Sequence, residues 1–180
     1  HLAKIINGFH FKRLKLLLED AQRRGQVLQG GNSNQTQQQI EPTIINVDKQ
    51  DDPLLEEELF GPLLPILSVP DLNSAIRTIR KQPRPLAIYL FGGTKADQQH
   101  LIQKTSSGSI CFNDVVIQAG IPELPFGGVG ASGMGRYHGL AGFKTFSNEK
   151  SILRRPFWLD IKLRYPPYNL DPKFLKNLLS

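Results

Sequence analysis

Glu56-Glu57-Glu58-Leu59-Phe60-Gly61-Pro62 runs three carboxylates into an apolar pair and stops them at a Gly-Pro turn. The residues that follow, Leu63-Leu64-Pro65-Ile66-Leu67-Ser68-Val69, read as a short, largely buried strand. Acidic side chains at the mouth of a buried strand are costly unless they face solvent or hold a ligand. A carboxylate accepts hydrogen bonds through two oxygens, which suits a pair of sugar hydroxyls, and the ring of Phe60 offers a flat face two residues from Glu58. Together they could grip a ribose and the ring attached to it. Taken alone, these residues are more ordinarily read as a solvated acidic turn, so the rest of the chain decides.

Working outward, the strand is followed by Pro70-Asp71, where Asp71 can cap a helix whose buried stripe is Leu72, Ala75, Ile76 and Ile79 and which Pro83 ends. Leu86-Ala87-Ile88-Tyr89-Leu90-Phe91 is a nearly unbroken apolar strand of the kind buried in a parallel sheet. Gly92-Gly93 turns into a weaker helix over 95–105, and Ser109-Ile110-Cys111-Phe112 is the next strand, ending at Asn113-Asp114. Strand, helix, strand, helix, strand with short turns predicts right-handed crossovers and a parallel α/β sheet. Ligands of such sheets bind at the carboxyl ends of strands, which is where Asn113 and Asp114 fall.

Upstream, Leu14, Leu17, Leu18 and Ala21 recur at helical spacing over 10–24, with Gly25 as the stop and the Lys and Arg residues as a solvated face. Gln26–Gln29 and Thr43–Val47 read as strands, and the polar, Gln-rich 32–39 between them reads as a surface loop. Downstream, Gly128, Gly130 and Gly133 form a G-x-G-x-x-G, but Pro125-Phe126 stands where the dinucleotide fingerprint needs a strand, the flanks read as loop, and no second strand arrives on schedule. The segment is expected to be an extended surface loop pinned by Phe126, with a short helix over 137–146. A further short strand is expected at Ser151–Arg154, and Phe174, Leu175, Leu178 and Leu179 suggest an amphipathic run in the tail.

The chain has 180 residues, 39% hydrophobic and 21% charged, enough for a real core and ordinary for a globular domain. No apolar run is long enough to cross a bilayer. The start, His1-Leu2-Ala3-Lys4, lacks Met and any signal-peptide core, so the chain reads as a piece of something longer. The net charge of +6 is spread in small groups with no aromatic-interleaved patch, which argues against nucleic acid as a partner. Cys111 is the single cysteine; on an apolar strand it reads as a small core residue rather than a nucleophile. His10, His100 and His138 offer no metal-ligand spacing.

Several stretches agree with one family. Glu57-Glu58-Leu59-Phe60-Gly61-Pro62 resembles the E-E-I-F-G-P signature of the aldehyde dehydrogenase superfamily. Leu124-Pro125-Phe126-Gly127-Gly128-Val129-Gly130, Ser132-Gly133-Met134-Gly135, Tyr137-His138-Gly139, Asn113-Asp114-Val115, Phe143–Ser147 and Leu163–Pro167 look like its class-3 branch, in the family's order from Ile5 to about Tyr168. The resemblance implies oxidation of medium- to long-chain aliphatic or aromatic aldehydes to carboxylic acids with NAD or NADP. It further implies that Glu58 holds the nicotinamide ribose hydroxyls, that Phe60 packs near the nicotinamide and that Phe126 lines the aldehyde pocket.

By the same resemblance, the family's nucleophilic cysteine, general-base glutamate and oxyanion asparagine, and its Rossmann half, belong upstream of residue 1, and Cys111 does not match the nucleophile. The expected division is the second part of the catalytic domain over 1–147, an oligomerisation strand (Ser151–Arg155) and arm over 148–168, and a tail over 169–180. A homodimer, and a cytoplasmic or membrane-associated location with any anchor lying in a further C-terminal tail, follow as expectations. The alternative is a short, non-catalytic paralogue acting as a dimerisation or binding module.

Overall fold

The structure is a computed structural model and describes residues 2–159 and 165–167. In chain order its regular elements are α1 (Gly8–Arg23), β1 (Val27–Gln29), β2 (Ser33–Asn34), β3 (Gln39–Ile40), β4 (Thr43–Val47), β5 (Leu63–Leu67), α2 (Leu72–Lys81), β6 (Ala87–Leu90), α3 (Lys95–Lys104), β7 (Ser109–Phe112) and α4 (Gly139–Thr145). Two 3-10 turns, Pro53–Leu55 and Ile117–Gly120, punctuate the loops.

Each long helix begins where a side chain can take up its free amide groups. Asn7 Oδ1 accepts from the His10 amide at 2.9 Å and Asp71 Oδ1 from the Ser74 amide at 2.6 Å. Thr94 and Asp97 cap α3 reciprocally. The apolar stripe of α1 is buried as its spacing predicts, through Leu14, Leu18 and Ala21, with Phe11 added and Leu17 half-buried.

The mixed α/β class and the parallel pairing hold, but the parallel strands fall into two pieces. β4 runs parallel to β5 in the register Thr43↔Leu63 through Val47↔Leu67, with β1 antiparallel on its other edge. β6 runs parallel to β7, from Ala87↔Ser109 to Leu90↔Phe112. Among the described residues β5 and β6 share no ladder, although α2 joins them. Pro65, Pro83 and Pro85 line an apolar groove of about 270 Å³ with Leu55, Leu67 and Ile79, and proline has no N–H to offer a ladder.

Each sheet has its own core. Phe11, Leu14, Leu18, Ile40, Ile45, Val47, Leu54 and Leu63 fill the first, and Ile76, Ile88 and Leu101 the second. The segment expected to be a plain loop carries the small β2–β3 hairpin, in register at Ser33↔Ile40. Its pairing comes from backbone groups and leaves no periodic trace in polar side chains.

The chain divides into two compact units, His1–Thr145 and Phe146–Ser180. In the second, residues 146–159 carry no helix or strand. The strand expected at Ser151–Arg154 therefore has no ladder here, because a strand exists only against a neighbour, and Ile152 and Leu153 stand exposed. The amphipathic run at Phe174–Leu179 lies outside the described residues.

Candidate functional site

The segment 56–62 is shaped from the core side. It is entered through Pro53–Leu55, a turn capped by Asp52, whose Oδ1 accepts from the Leu54 amide at 3.0 Å. Asp52 is itself buried and ion-paired to Arg24. The Arg24 guanidinium first, and then the Leu54 amide, hold its carboxyl below the usual carboxylate range. Leu59 turns its side chain against the first core. Arg13, on α1, donates from Nη2 to the Leu59 carbonyl at 2.6 Å, with Nη1 3.9 Å from the Glu57 carboxylate. Gly61 rests on Leu14 so closely that an added Cβ would run into that side chain. The Pro62 carbonyl accepts from the Thr43 amide of β4 at 2.8 Å.

Leu59 and Pro62 are half-buried, whereas Glu58 and Phe60 stand exposed. Phe60 is 78% exposed and sits at φ 49°, a left-handed conformation that costs a non-glycine residue on the order of 1 kcal/mol. Among the described residues nothing bonds the Glu58 carboxylate. Its two oxygens are thus free to accept from a vicinal diol, with an uncovered aromatic face beside them. The two sequence-predicted residues are therefore both exposed on one loop, two positions apart. They precede β5, at the amino end of a parallel strand, so the rule that places ligands at carboxyl ends does not locate them.

Phe126 lies in a different setting. It exchanges both backbone hydrogen bonds with Tyr137, at 3.0 and 2.9 Å, and its ring meets Tyr137 edge-on and stacks with His138. His138 Nδ1 donates to the Leu124 carbonyl at 3.1 Å. All these partners lie on its own loop, so the structure does not tie Phe126 directly to Glu58 and Phe60. The glycine-rich segment is a tight reversal, with Gly130 bridged to Gly133 and Ser132 Oγ accepting from the Val129 amide at 2.9 Å. No helix opens from it, in keeping with the rejected dinucleotide fingerprint. Gly127 and Gly128 each lie so close to neighbouring backbone that no side chain fits.

Sequence reasoning missed Arg13, Arg136 and Gln118. Arg136 Nη1 donates to the carbonyls of Gly108 and Gly127, at 2.7 and 3.1 Å, and pins the glycine loop to the start of β7. Gln118 is buried, with Nε2 3.2 Å from the Tyr89 hydroxyl and 3.4 Å from Ser109 Oγ. No local pattern marks either residue, because their partners are far along the chain. At the end of β7, Asn113 Oδ1 accepts from the Gly92 amide at 2.8 Å, so this side chain joins two strand ends instead of reaching for a ligand. Cys111 is half-buried in register with Tyr89. Among the described residues no cluster of His, Cys, Asp and Glu could hold a metal, and no helix is long and apolar enough to cross a membrane.

The family model described as the aldehyde dehydrogenase family matches residues 2–152. The chain is 42% identical to aldehyde dehydrogenase family 3 member I1, chloroplastic, of Arabidopsis thaliana, over 99% of its own length and 33% of that protein's. It is 43% identical to aldehyde dehydrogenase family 3 member B1 of Rattus norvegicus, over 93% of this chain and 36% of that one. It thus spans about a third of the length of the curated relatives it matches. A substrate-bound Staphylococcus aureus AldH superposes with a TM-score of 0.78 at 40% identity, over 98% of this chain and 38% of that one. An indole-3-acetaldehyde dehydrogenase in complex with NAD+ superposes with a TM-score of 0.74 at 24% identity, over 83% and 30%, a likeness of fold.

Proposed function

The chain belongs to the aldehyde dehydrogenase family, and from that premise we propose that it supplies the ribose grip and a wall of the aldehyde pocket to a class-3 enzyme. That enzyme oxidises medium- to long-chain aliphatic or aromatic aldehydes to carboxylic acids with NAD or NADP. The observation that carries this reading is that Glu58 and Phe60 stand exposed on a loop anchored to the core through Leu59 and to β4 through the Pro62 carbonyl.

When bound, the nicotinamide would supply the hydride acceptor for oxidation of the aldehyde carbon. Glu58 would hold the two ribose hydroxyls by accepting their hydrogen bonds and so position the attached ring. Phe60 would pack near that ring and help exclude water. Phe126, stiffened by Tyr137 and His138, forms apolar pocket wall for the aldehyde chain. Cys111 is read as structural, since it sits half-buried within β7 in register with Tyr89. In this reading the attacking thiolate and the general base come from outside these residues, and the subunit works as a homodimer with Ser151–Arg155 at the contact.

The test is an aldehyde-dependent rise in NADH absorbance, measured on this polypeptide and on the longest gene product that contains it. Activity is expected only in the longer product, and Glu58→Gln there is expected to lower kcat about tenfold or more, since a charge-assisted hydrogen bond to the cofactor is lost. Turnover by the short chain that disappears on Cys111→Ala would overturn the assignment. A longer product with no turnover on any aldehyde would favour a dimerisation or binding module.

A further inference from the structure

We propose that Arg13 is a positioning residue for the cofactor grip, acting through the backbone carbonyl of Leu59; this rests on the reading of Glu58 and Phe60 given above. The Leu59 carbonyl belongs to the peptide plane that also carries the Phe60 amide. Whichever way that oxygen points sets ψ of Leu59 and φ of Phe60 together. Arg13 Nη2 holds it at 2.6 Å, and Phe60 is found at φ 49°. An aromatic residue left to itself avoids that conformation. Returning Phe60 to a negative φ would turn this residue relative to the chain before it and re-aim its exposed ring with respect to Glu58. The guanidinium opposes this turn.

Other contacts on the segment do not reach this peptide. The Leu59 side chain, Gly61 against Leu14, and the Pro62 carbonyl on Thr43 anchor the segment on either side, but none of them is a hydrogen bond to the Leu59–Phe60 peptide. Arginine suits the task because its planar fork serves two acceptors at once, the Leu59 carbonyl and, at 3.9 Å, the Glu57 carboxylate. Its side chain is 23% exposed, whereas Glu57 is 77% exposed. The carbonyl bond is therefore shielded from water, and the ion pair, lying in water, contributes little. The cofactor's grip is thus shaped from a helix, by a residue 46 positions away in sequence.

The experiment uses the longest gene product, comparing wild type with Arg13→Ala, Arg13→Lys, Arg13→Gln and Glu58→Gln. Three quantities are read: NADH affinity by fluorescence titration, KM for cofactor against KM for aldehyde, and amide hydrogen exchange over residues 57–61 and 14–21 without cofactor. Arg13→Ala is expected to weaken NADH binding about tenfold, with aldehyde KM changed by less than about twofold. It should also speed exchange at 57–61 alone. Lysine and glutamine, each able to donate to a carbonyl, should both recover part of the affinity. Full recovery by lysine with none by glutamine would overturn the proposal, since Arg13 would then be acting as a charge on Glu57. So would equal loss for cofactor and aldehyde, or exchange quickened along α1 as well, since those are the marks of a merely structural residue. If Glu58→Gln weakens NADH binding and Arg13→Ala does not, this proposal alone fails. If Glu58→Gln changes nothing, the reading of the grip fails and the proposal with it.

Discussion

At Asp52 a carboxylate is buried beside the Arg24 guanidinium and the Leu54 amide, and its pKa lies below the usual range, chiefly because of Arg24. A group whose folded pKa is depressed adds stability above its unfolded value, near 3.9, and loses it as pH falls from there through the folded value. Asp52→Asn is therefore expected to cost about 1–3 kcal/mol at pH 7, the lower part of what breaking a buried pair costs, because Arg24 is a third exposed. The gap between variant and wild type, read by urea titration, should close as the pH falls below about 4. A gap that widens in acid would mean the carboxyl is held above its normal range. Single residues were legible in the sequence where their partners are near. Asp71 could be named as a cap from its place before an apolar stripe, and its bond to the Ser74 amide matches. Asp52 reads only as part of a turn, because its partner Arg24 lies 28 residues back.

Among the elements, α1 carries the most weight for the candidate site. Its inner stripe was readable because 3.6-residue periodicity is a local property, and Leu14, Leu18 and Ala21 are buried accordingly. What the stripe does not reveal is that Leu14 also forms the floor beneath Gly61. Gly61→Ala is expected to destabilise the fold by about 1–3 kcal/mol through overpacking and to weaken NADH binding. In a Leu14→Ala background, itself destabilised by the lost core side chain, the further cost of Gly61→Ala should be smaller, so a double-mutant cycle should give a favourable coupling; strictly additive losses would show that the two residues do not meet. The strands at β4, β5 and β7 were legible from apolar runs bounded by turn residues. The β2–β3 hairpin and the 3-10 turns at Pro53–Leu55 and Ile117–Gly120 were not. Two to four residues held by backbone groups leave no periodic signal.

For the molecule as a whole, the order of motifs carried the family, while the division of the parallel strands into two sheets had no sequence signal. Which strands pair is decided by long-range packing, and the prolines that line the groove between β5 and the end of α2 acquire that meaning only in three dimensions. Within His1–Thr145 the chain leaves Leu64, Phe91, Leu140 and Phe143 more than half exposed, along with the Glu58–Phe60 loop. Apolar surface of that kind is covered in stable proteins. The 180-residue polypeptide alone is expected to bind 8-anilinonaphthalene-1-sulfonate strongly and to sediment as concentration-dependent aggregates, and the longest gene product is not. A monodisperse, dye-silent short chain would contradict this. The bond from Arg13 to Leu59 has a different kind of consequence, for how freely the sequence can drift. A carbonyl oxygen is common to all twenty residue types, so the bond is blind to what stands at position 59. Any aliphatic side chain that fills the core can be exchanged there, as Leu for Ile, without disturbing its neighbours on either side. Position 13 has no such latitude, and a saturation library should find tolerance at 59 and intolerance at 13.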